Sequence, residues 1–347
     1  DTPLAAAVFS HHHVDHIFGV GPFEREARER GQRAPLLYGH EAIPWHFDRY
    51  KKTLGWNTAI NTRQFAIPME RFRWQDQYRY PDVTYEKRLT FRTGDCTFEL
   101  YHTRGETEDG TWTWLPERKI LHPGDLFIWA VPNAGNPQKV QRYAVEWAQA
   151  LRAMAAKRPA LLLPGHGLPI AGEARVQEAL HDTADYLESL ARQTLERLNE
   201  GQTVYEIVEN VRPPKRLEGK PWLAPVYDEP TFIVRNLCRC YGGWYSGVPS
   251  ELKPAPRKKL SSEIVAMAGG MEKLLARAQE HLAKGDAHMA AHFVDWAVDA
   301  APDSKEAHAV RTKVYEALAK AATSTMSKGI YGGAARESGE RAGLKKA

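Results

Sequence analysis

The sequence predicts an α/β unit followed by an all-α unit, and three observations carry that reading. Short apolar runs bounded by Gly, Pro or charged residues recur through the first half, as strands buried in a sheet do. A helix-period stripe lies between two of these runs, so strand and helix alternate. Beyond about Val176 the helical period takes over, and no strand pattern of similar quality follows.

Taken in order, Leu4–Phe9 is a short apolar run that stops at a polar cluster, a buried strand feeding a loop. Further strands are expected at Thr97–Tyr101, Thr111–Leu115, Asp125–Trp129 and Ala160–Leu163. Val140, Tyr143, Ala144, Trp147, Ala148 and Leu151 recur at helical spacing between the last two. Val176, Leu180, Leu187, Leu190, Ala191 and Leu198 then form one long stripe, closed by Asn199-Glu200-Gly201. The aromatic segment from Arg212 to Pro256 is too rich in Trp and Tyr for a free linker and should be packed. Three helical patterns follow, Met271–Leu282, Met289–Ala297 and Val310–Leu318, punctuated by Gly285-Asp286 and Pro302-Asp303. They are similar to one tetratricopeptide-type hairpin, whose apolar face needs a partner surface. The tail after Thr323, rich in Gly, Lys and Arg, is expected to be loosely ordered at its end.

Composition bounds the function. The 347 residues, 43% hydrophobic and 26% charged, suit about two folded domains. A net charge of +4 with scattered basic residues argues against a nucleic-acid partner. No run approaches the ~18 apolar residues of a membrane span. Three cysteines, Cys96, Cys238 and Cys240, lack the spacing of a disulfide framework, which favours a reducing compartment. The first residue is Asp1, so the native start and any signal peptide lie outside view.

The chemistry is concentrated where the first strand ends. His11-His12-His13-Val14-Asp15-His16 fits His-x-His-x-Asp-His. A tight loop with that spacing can aim alternate side chains at two nearby points, His11 and His13 at one metal and Asp15 and His16 at another. Its downstream partners come in order: His102-Thr-Arg-Gly-Glu106-Thr107-Glu108-Asp109, then Pro123-Gly124-Asp125, then Leu163-Pro164-Gly165-His166-Gly167.

This ordered set resembles the metallo-β-lactamase superfamily over residues of about 4 to 170. The resemblance implies an αββα sandwich, with Asp125 as a metal-bridging carboxylate and His166 as the last histidine. Where most members have Gly-His-Thr this chain has Gly105-Glu106-Thr107, as the alkylsulfatase branch does. Glu106 is therefore placed ahead of His102 and Glu108 as the third ligand. Tyr241-Gly-Gly-Trp-Tyr-Ser-Gly247, Ala268-Gly-Gly270, the Gly285-Asp286 hairpin and Tyr331-Gly-Gly-Ala334 resemble the alkylsulfatase dimerisation domain. Two departures stand out. Asp125 replaces the Glu of well-understood alkylsulfatases, and of the Asn and Arg that hold sulfate there only Asn133 is matched, with Gln138 in the Arg position. Lys139 and Arg142 are the nearby cations that could supply the missing charge.

The resemblance implies a dinuclear zinc hydrolase acting on alkyl sulfate esters. Two zinc ions sharing a water would lower its pKa from about 15.7 toward about 7, giving a metal-bridging hydroxide, with Asp15 and Asp125 as catalytic carboxylates. Trp45, Phe47, Tyr50 and Trp56 are candidates for an aromatic channel or, equally, for core. The domains expected are a catalytic unit over 1–174, a helical dimerisation unit over 175–335 that makes a homodimer, and a flexible tail over 336–347. A motif at His11 leaves no room for the early strands of this fold, so an N-terminally incomplete hydrolase is expected. The competing readings are hydrolysis of another ester, a thioester or a lactam on the same metal pair, and a non-catalytic dimeric module.

Overall fold

Residues 3–67 and 69–344 are described by the structure, a computed structural model. Its first unit comprises Asp1–Asn57 and Trp74–Trp244, its second Thr58–Arg73 and Tyr245–Ala347.

In chain order the elements begin β1 (Ala6–Val8), α1 (Gly21–Glu29), β2 (Leu36–His40), α2 (Ile43–Lys52), α3 (Leu54–Phe65), β3 (Val83–Tyr85), β4 (Arg88–Thr93) and β5 (Cys96–His102). They continue β6 (Thr111–Leu115), β7 (Ile120–His122), α4 (Ala144–Ala156), β8 (Leu161–Leu162), β9 (Ile170–Ala171), α5 (Glu173–Asn199), α6 (Val204–Asn210) and α7 (Pro230–Gly242). The last five are α8 (Arg257–Met267), α9 (Met271–Ala283), α10 (Ala287–Ala300), α11 (Lys305–Ala321) and α12 (Thr325–Ala342).

Two sheets form. β1-β2-β3 is parallel, and β4 to β9 make a six-stranded sheet in sequence order, antiparallel except at β7-β8. The first sheet's core is Phe9, Ile17, Val20, Leu37, Ile43 and Phe47. Trp112, Trp114, Leu121 and Leu162 of the second share a core with Trp147, Leu151 and Met154 of α4 and with the α5 stripe. Between the sheets, Tyr38 stacks on Phe91 with ring centroids 4.3 Å apart. The carbonyl of Ser10 accepts from the Thr111 N–H at 2.7 Å. That bond fixes the loop after β1 against the start of β6, where the candidate ligands gather.

Several expectations need correction. Residues 125–129 do not form a strand: Gly124–Leu126 is a short 3-10 turn, and a single bridge pairs Ile128 with His166. The run is buried because it lines loops, and Trp147 Nε1 donates to the Leu126 carbonyl at 2.6 Å. The boundary expected at 174/175 is not where the compact units divide. Helices α5 and α7 bury Val176, Leu180, Leu187, Ile233 and Leu237 in the core of the first unit. Of the segment 212–256, expected to be packed, Leu217, Leu223, Ile233 and Leu237 are buried, whereas Tyr241, Trp244 and Tyr245 are exposed. Residues 336–342 are helical, part of α12, whose Ser338 hydroxyl lies 2.7 Å from Arg311 and 3.2 Å from His308; residues 345–347 of the expected tail lie outside the described residues.

In the second unit, Leu274, Leu275, Ala278, Ala290, Val294, Ala297, Val310 and Val314 form the core of α9, α10 and α11. Asp286, Ser304 and Ser324 cap α10, α11 and α12 through N–H groups of Met289, Ala307 and Ser327. Among the described residues, no helix is long and apolar enough to cross a membrane.

Candidate metal centre

The motif loop leaves β1 and tightens into a short turn, with His16 N–H donating to the His13 carbonyl at 3.0 Å. Ser10 sits at its base, its Oγ 3.1 Å from His11 Nδ1 and 3.3 Å from His16 Nδ1. The rings are thereby oriented with Nε2 inward, the usual task of a polar group behind a metal-binding imidazole.

Three groups of ligand-type atoms, each within 4.8 Å of one another, result: His11, His13 and Glu106; Asp15, His16 and His166; and His11, His16 and Asp125. His11 Nε2 and His13 Nδ1 are 2.9 Å apart, and His13 Nδ1 lies 3.6 Å from Glu106 Oε1. Asp15 Oδ2 is 3.4 Å from His16 Nε2 and 3.3 Å from His166 Nε2. Asp125 joins the two sides, with Oδ1 3.3 Å from His16, and Oδ2 3.4 Å from His166 and 3.9 Å from His11. All seven residues read as ligands from the sequence are thus brought together.

The electrostatics suit cations. Burial pushes His11 down to about 3 and His13 well below the imidazole range, so both are neutral donors. His16, despite burial, and His166 are held up at about 10 by Asp125 and Asp15. Burial and the neighbouring Asp125 carboxylate push Glu106 up to about 8. Glu106 Oε2 is buried without a hydrogen-bond partner, a costly arrangement for a carboxylate unless a cation meets it. A cavity of about 10 Å³ lies between Ser10, His11, Glu106 and Asp125. Imidazole and carboxylate donors, one carboxylate oxygen of them buried and unpaired, fit a divalent metal.

The rival third ligands point elsewhere. His102 stacks on His40, centroids 3.8 Å apart, and its Nδ1 lies 3.2 Å from the Gly110 carbonyl. Glu108 accepts from the Tyr143 hydroxyl at 2.6 Å. A further trio, His12, His46 and Asp109, has ligand atoms equally close. Its imidazoles are stacked 3.9 Å apart with planes within 5°, so in-plane lone pairs from both cannot meet at one ion. His12 Nδ1 pairs with Asp109 at 2.7 Å, and Arg49 donates to its Nε2 at 3.3 Å. The trio buttresses the motif loop from behind. Ser10 and Asp109 were not singled out in the sequence; Ser10 abuts the motif, but nothing in a single sequence marks either contact.

The residues expected at the sulfate divide. Asn133 Nδ2 donates to Glu106 Oε1, and Arg142 donates to the Glu106 carbonyl with Nη1 3.1 Å from Oε1. Both are buried against Glu106 rather than presented to a substrate. Lys139 alone stays half-buried, its Nζ 5.6 Å from the Trp74 ring centroid. Burial and the Arg142 charge push it down to about 7, while Glu106 and Asp15 attract it. Of the aromatics proposed for a channel, Phe47 and Tyr50 are core, whereas Trp45 and Trp56 are exposed.

Two family models match successive parts of the chain. Residues 2–166 match the family model of the metallo-beta-lactamase superfamily, and residues 203–340 match that for alkyl sulfatase dimerisation. The chain is an alkylsulfatase-like member of the metallo-β-lactamase superfamily. A linear primary-alkylsulfatase of Pseudomonas sp. is 25% identical over 336 residues, covering 92% of this chain and 63% of that protein. An (R)-specific secondary-alkylsulfatase of Pseudomonas sp. is also 25% identical, over 95% of this chain and 53% of that protein. The fold is that of the stereoselective inverting sec-alkylsulfatase Pisa1 from Pseudomonas sp., with a TM-score of 0.84 and 22% identity over 100% of this chain and 58% of that one. The chain therefore spans between half and two thirds of the length of these relatives. Divalent-metal binding is the property that membership of this superfamily implies for the alkylsulfatase-like chain.

Proposed function

We propose that the protein is a dinuclear zinc hydrolase that cleaves alkyl sulfate esters to alcohol and sulfate. The observation that carries this reading is the convergence of two ligand groups on Asp125, with a carboxylate, Glu106, completing the first group. His11, His13 and Glu106 would hold one ion and Asp15, His16 and His166 the other. A pair of divalent ions in such a setting supplies ionised water at neutral pH and Lewis-acid stabilisation of developing charge.

The chain's own residues do the remaining work. Asp125, with His16 and His166 against its oxygens, fixes the separation of the two groups. Asp15 is the more exposed carboxylate; against partial desolvation, His16 and His166, 3.4 and 3.3 Å from its Oδ2, hold it well below the usual carboxylate range, so it would be an ionised ligand of the second ion. Lys139 is the cation near Asp15 and Glu106 that can meet the sulfate oxygens, where a fixed donor is worth most as charge develops. Water and the ester R–O–SO₃⁻ yield the alcohol, sulfate and one proton. Trp45 and Trp56 are the exposed aromatics available to the alkyl chain. The second unit, with Met267 at 87% exposure and Met289 and Leu260 also exposed, is inferred to join two copies into a homodimer.

A turnover panel of dodecyl sulfate, a thioester and a β-lactam on the zinc-loaded protein tests the reading. Selective release of sulfate supports it. Preferential thioester or lactam turnover assigns the centre to another reaction of the superfamily, and zinc bound with no turnover makes the chain a non-catalytic module.

A further inference from the structure

A carboxylate in place of the third imidazole poses a physical problem. Glu106 is 5% exposed beside Asp125 at 9%, so two carboxylates share a nearly dry pocket, and both must carry charge to serve as ligands. The chain answers with Arg142, only 2% exposed, a guanidinium that keeps its charge at any ordinary pH.

The contacts divide the Glu106 carboxylate in two. Oε1 faces Arg142 Nη1 at 3.1 Å, accepts from Asn133 Nδ2 and is the oxygen 3.6 Å from His13 Nδ1, while Oε2 is buried with no hydrogen-bond partner. Arg142 also donates to the Glu106 main-chain carbonyl. One oxygen is thus held by Arg142 and Asn133 beside His13, and the other is buried without a partner.

The loop bearing both donors is clamped by α7. Asn236 Nδ2 donates to the carbonyls of Ala134 and Arg142, each at 2.9 Å. Asp228 Oδ2 accepts from the Gly135 N–H at 2.7 Å. A Cβ on Gly135 would fall 2.1 Å from the Ile233 nitrogen, so only glycine permits this approach. Helix α7 lies within residues 203–340, matched by the dimerisation family model, yet it fixes a loop of the metal centre.

We propose that Arg142, with Asn133, is the positioning residue that makes a carboxylate workable as third ligand. It neutralises the added charge and turns one oxygen of Glu106 toward the ion. The inference rests on the two-ion reading above, and its test separates the two.

The test measures zinc stoichiometry and the Co(II) absorption spectrum on the full chain for wild type, H13A, R142M, R142K, E106H and the double variant E106H/R142M. R142M is expected to weaken the ion at Glu106 by about 10- to 100-fold, the scale of losing a group that orients a ligand, and to alter the Co(II) spectrum. R142K, retaining charge but not the fork, falls between and covers the case in which R142M does not fold. E106H alone binds poorly because Arg142 is left buried without its anion; E106H/R142M binds at least tenfold more tightly than E106H. That rescue is the signature of a role toward the carboxylate, since a merely structural Arg142 would make the double variant worse than either single one. Additive losses in the double variant, or R142M and R142K binding as wild type does, overturn the proposal and leave the metal centre standing. A wild type that binds no ion, or an H13A variant that keeps full occupancy, overturns the metal reading itself and the proposal with it.

Discussion

Asp125 Oδ2 lies 3.4 Å from His166 Nε2, a contact between two loops that depends on the glycine before the histidine. Gly165 N–H donates to the Gly124 carbonyl at 3.0 Å, and a Cβ on Gly165 would stand 2.1 Å from Asp125 Oδ1. Backbone and carboxylate both occupy the space that any side chain would need.

G165A should therefore keep the fold yet displace Asp125 or His166. The expected result is a 10- to 100-fold loss of metal affinity, the scale of disturbing a group behind a ligand, with an unchanged circular dichroism spectrum. Unaltered affinity would mean that Asp125 does not need this approach.

Glu106 and His102 are separated by a second comparison. E106A should lose one equivalent of zinc, whereas H102A, whose ring stacks on His40 outside the ligand groups, should keep the full complement. Metal analysis of both variants decides it, and zinc loss in H102A alone would reverse the assignment.

Lys139 sets a pH dependence. Its ammonium, pushed down to about 7 by burial and by Arg142, loses its charge as pH rises through that value. A charge-assisted contact of ~1.5–3 kcal/mol corresponds to about tenfold or more in binding. KM for a sulfate ester should rise by about that factor from roughly pH 6 to roughly pH 9. K139R stays charged throughout that range and should flatten the profile; the same slope in K139R would exclude Lys139 as the sulfate cation.

Much of the candidate centre was legible in the sequence because its ligand-type residues come in short, ordered motifs at strand ends. His11, His13, Asp15 and His16 occupy one turn, and Glu106, Asp125 and His166 each follow or open a recognisable run. What proximity along the chain does not give is direction. Asn133 and Arg142 lie near the site in sequence, but their side chains turn inward onto Glu106, while Lys139, three residues before Arg142, does not. The parallel sheet was harder to read: β2, Leu36–His40, shows no polar alternation, as expected of a strand covered on both faces. Residues 125–129 misled because burial beside a metal centre and burial in a sheet both select apolar residues. The true extent of the first unit depends on α5 and α7 packing onto α4 and the sheet, a long-range event with no local signature.

The helical unit gives a prediction of its own. The full chain should sediment at twice its mass of 39.2 kDa, and a chain ending at Pro256, without α8 to α12, should sediment as a monomer. A truncated chain that remains dimeric would place the interface elsewhere.

The central claim is a two-ion hydrolytic centre bridged by Asp125. Zinc content and dodecyl sulfate turnover, measured on the same preparations of wild type, H13A and D125A, test it most directly. The account predicts two zinc ions per wild-type chain, with metal and activity lost together in both variants. Full zinc occupancy in H13A and D125A would contradict it.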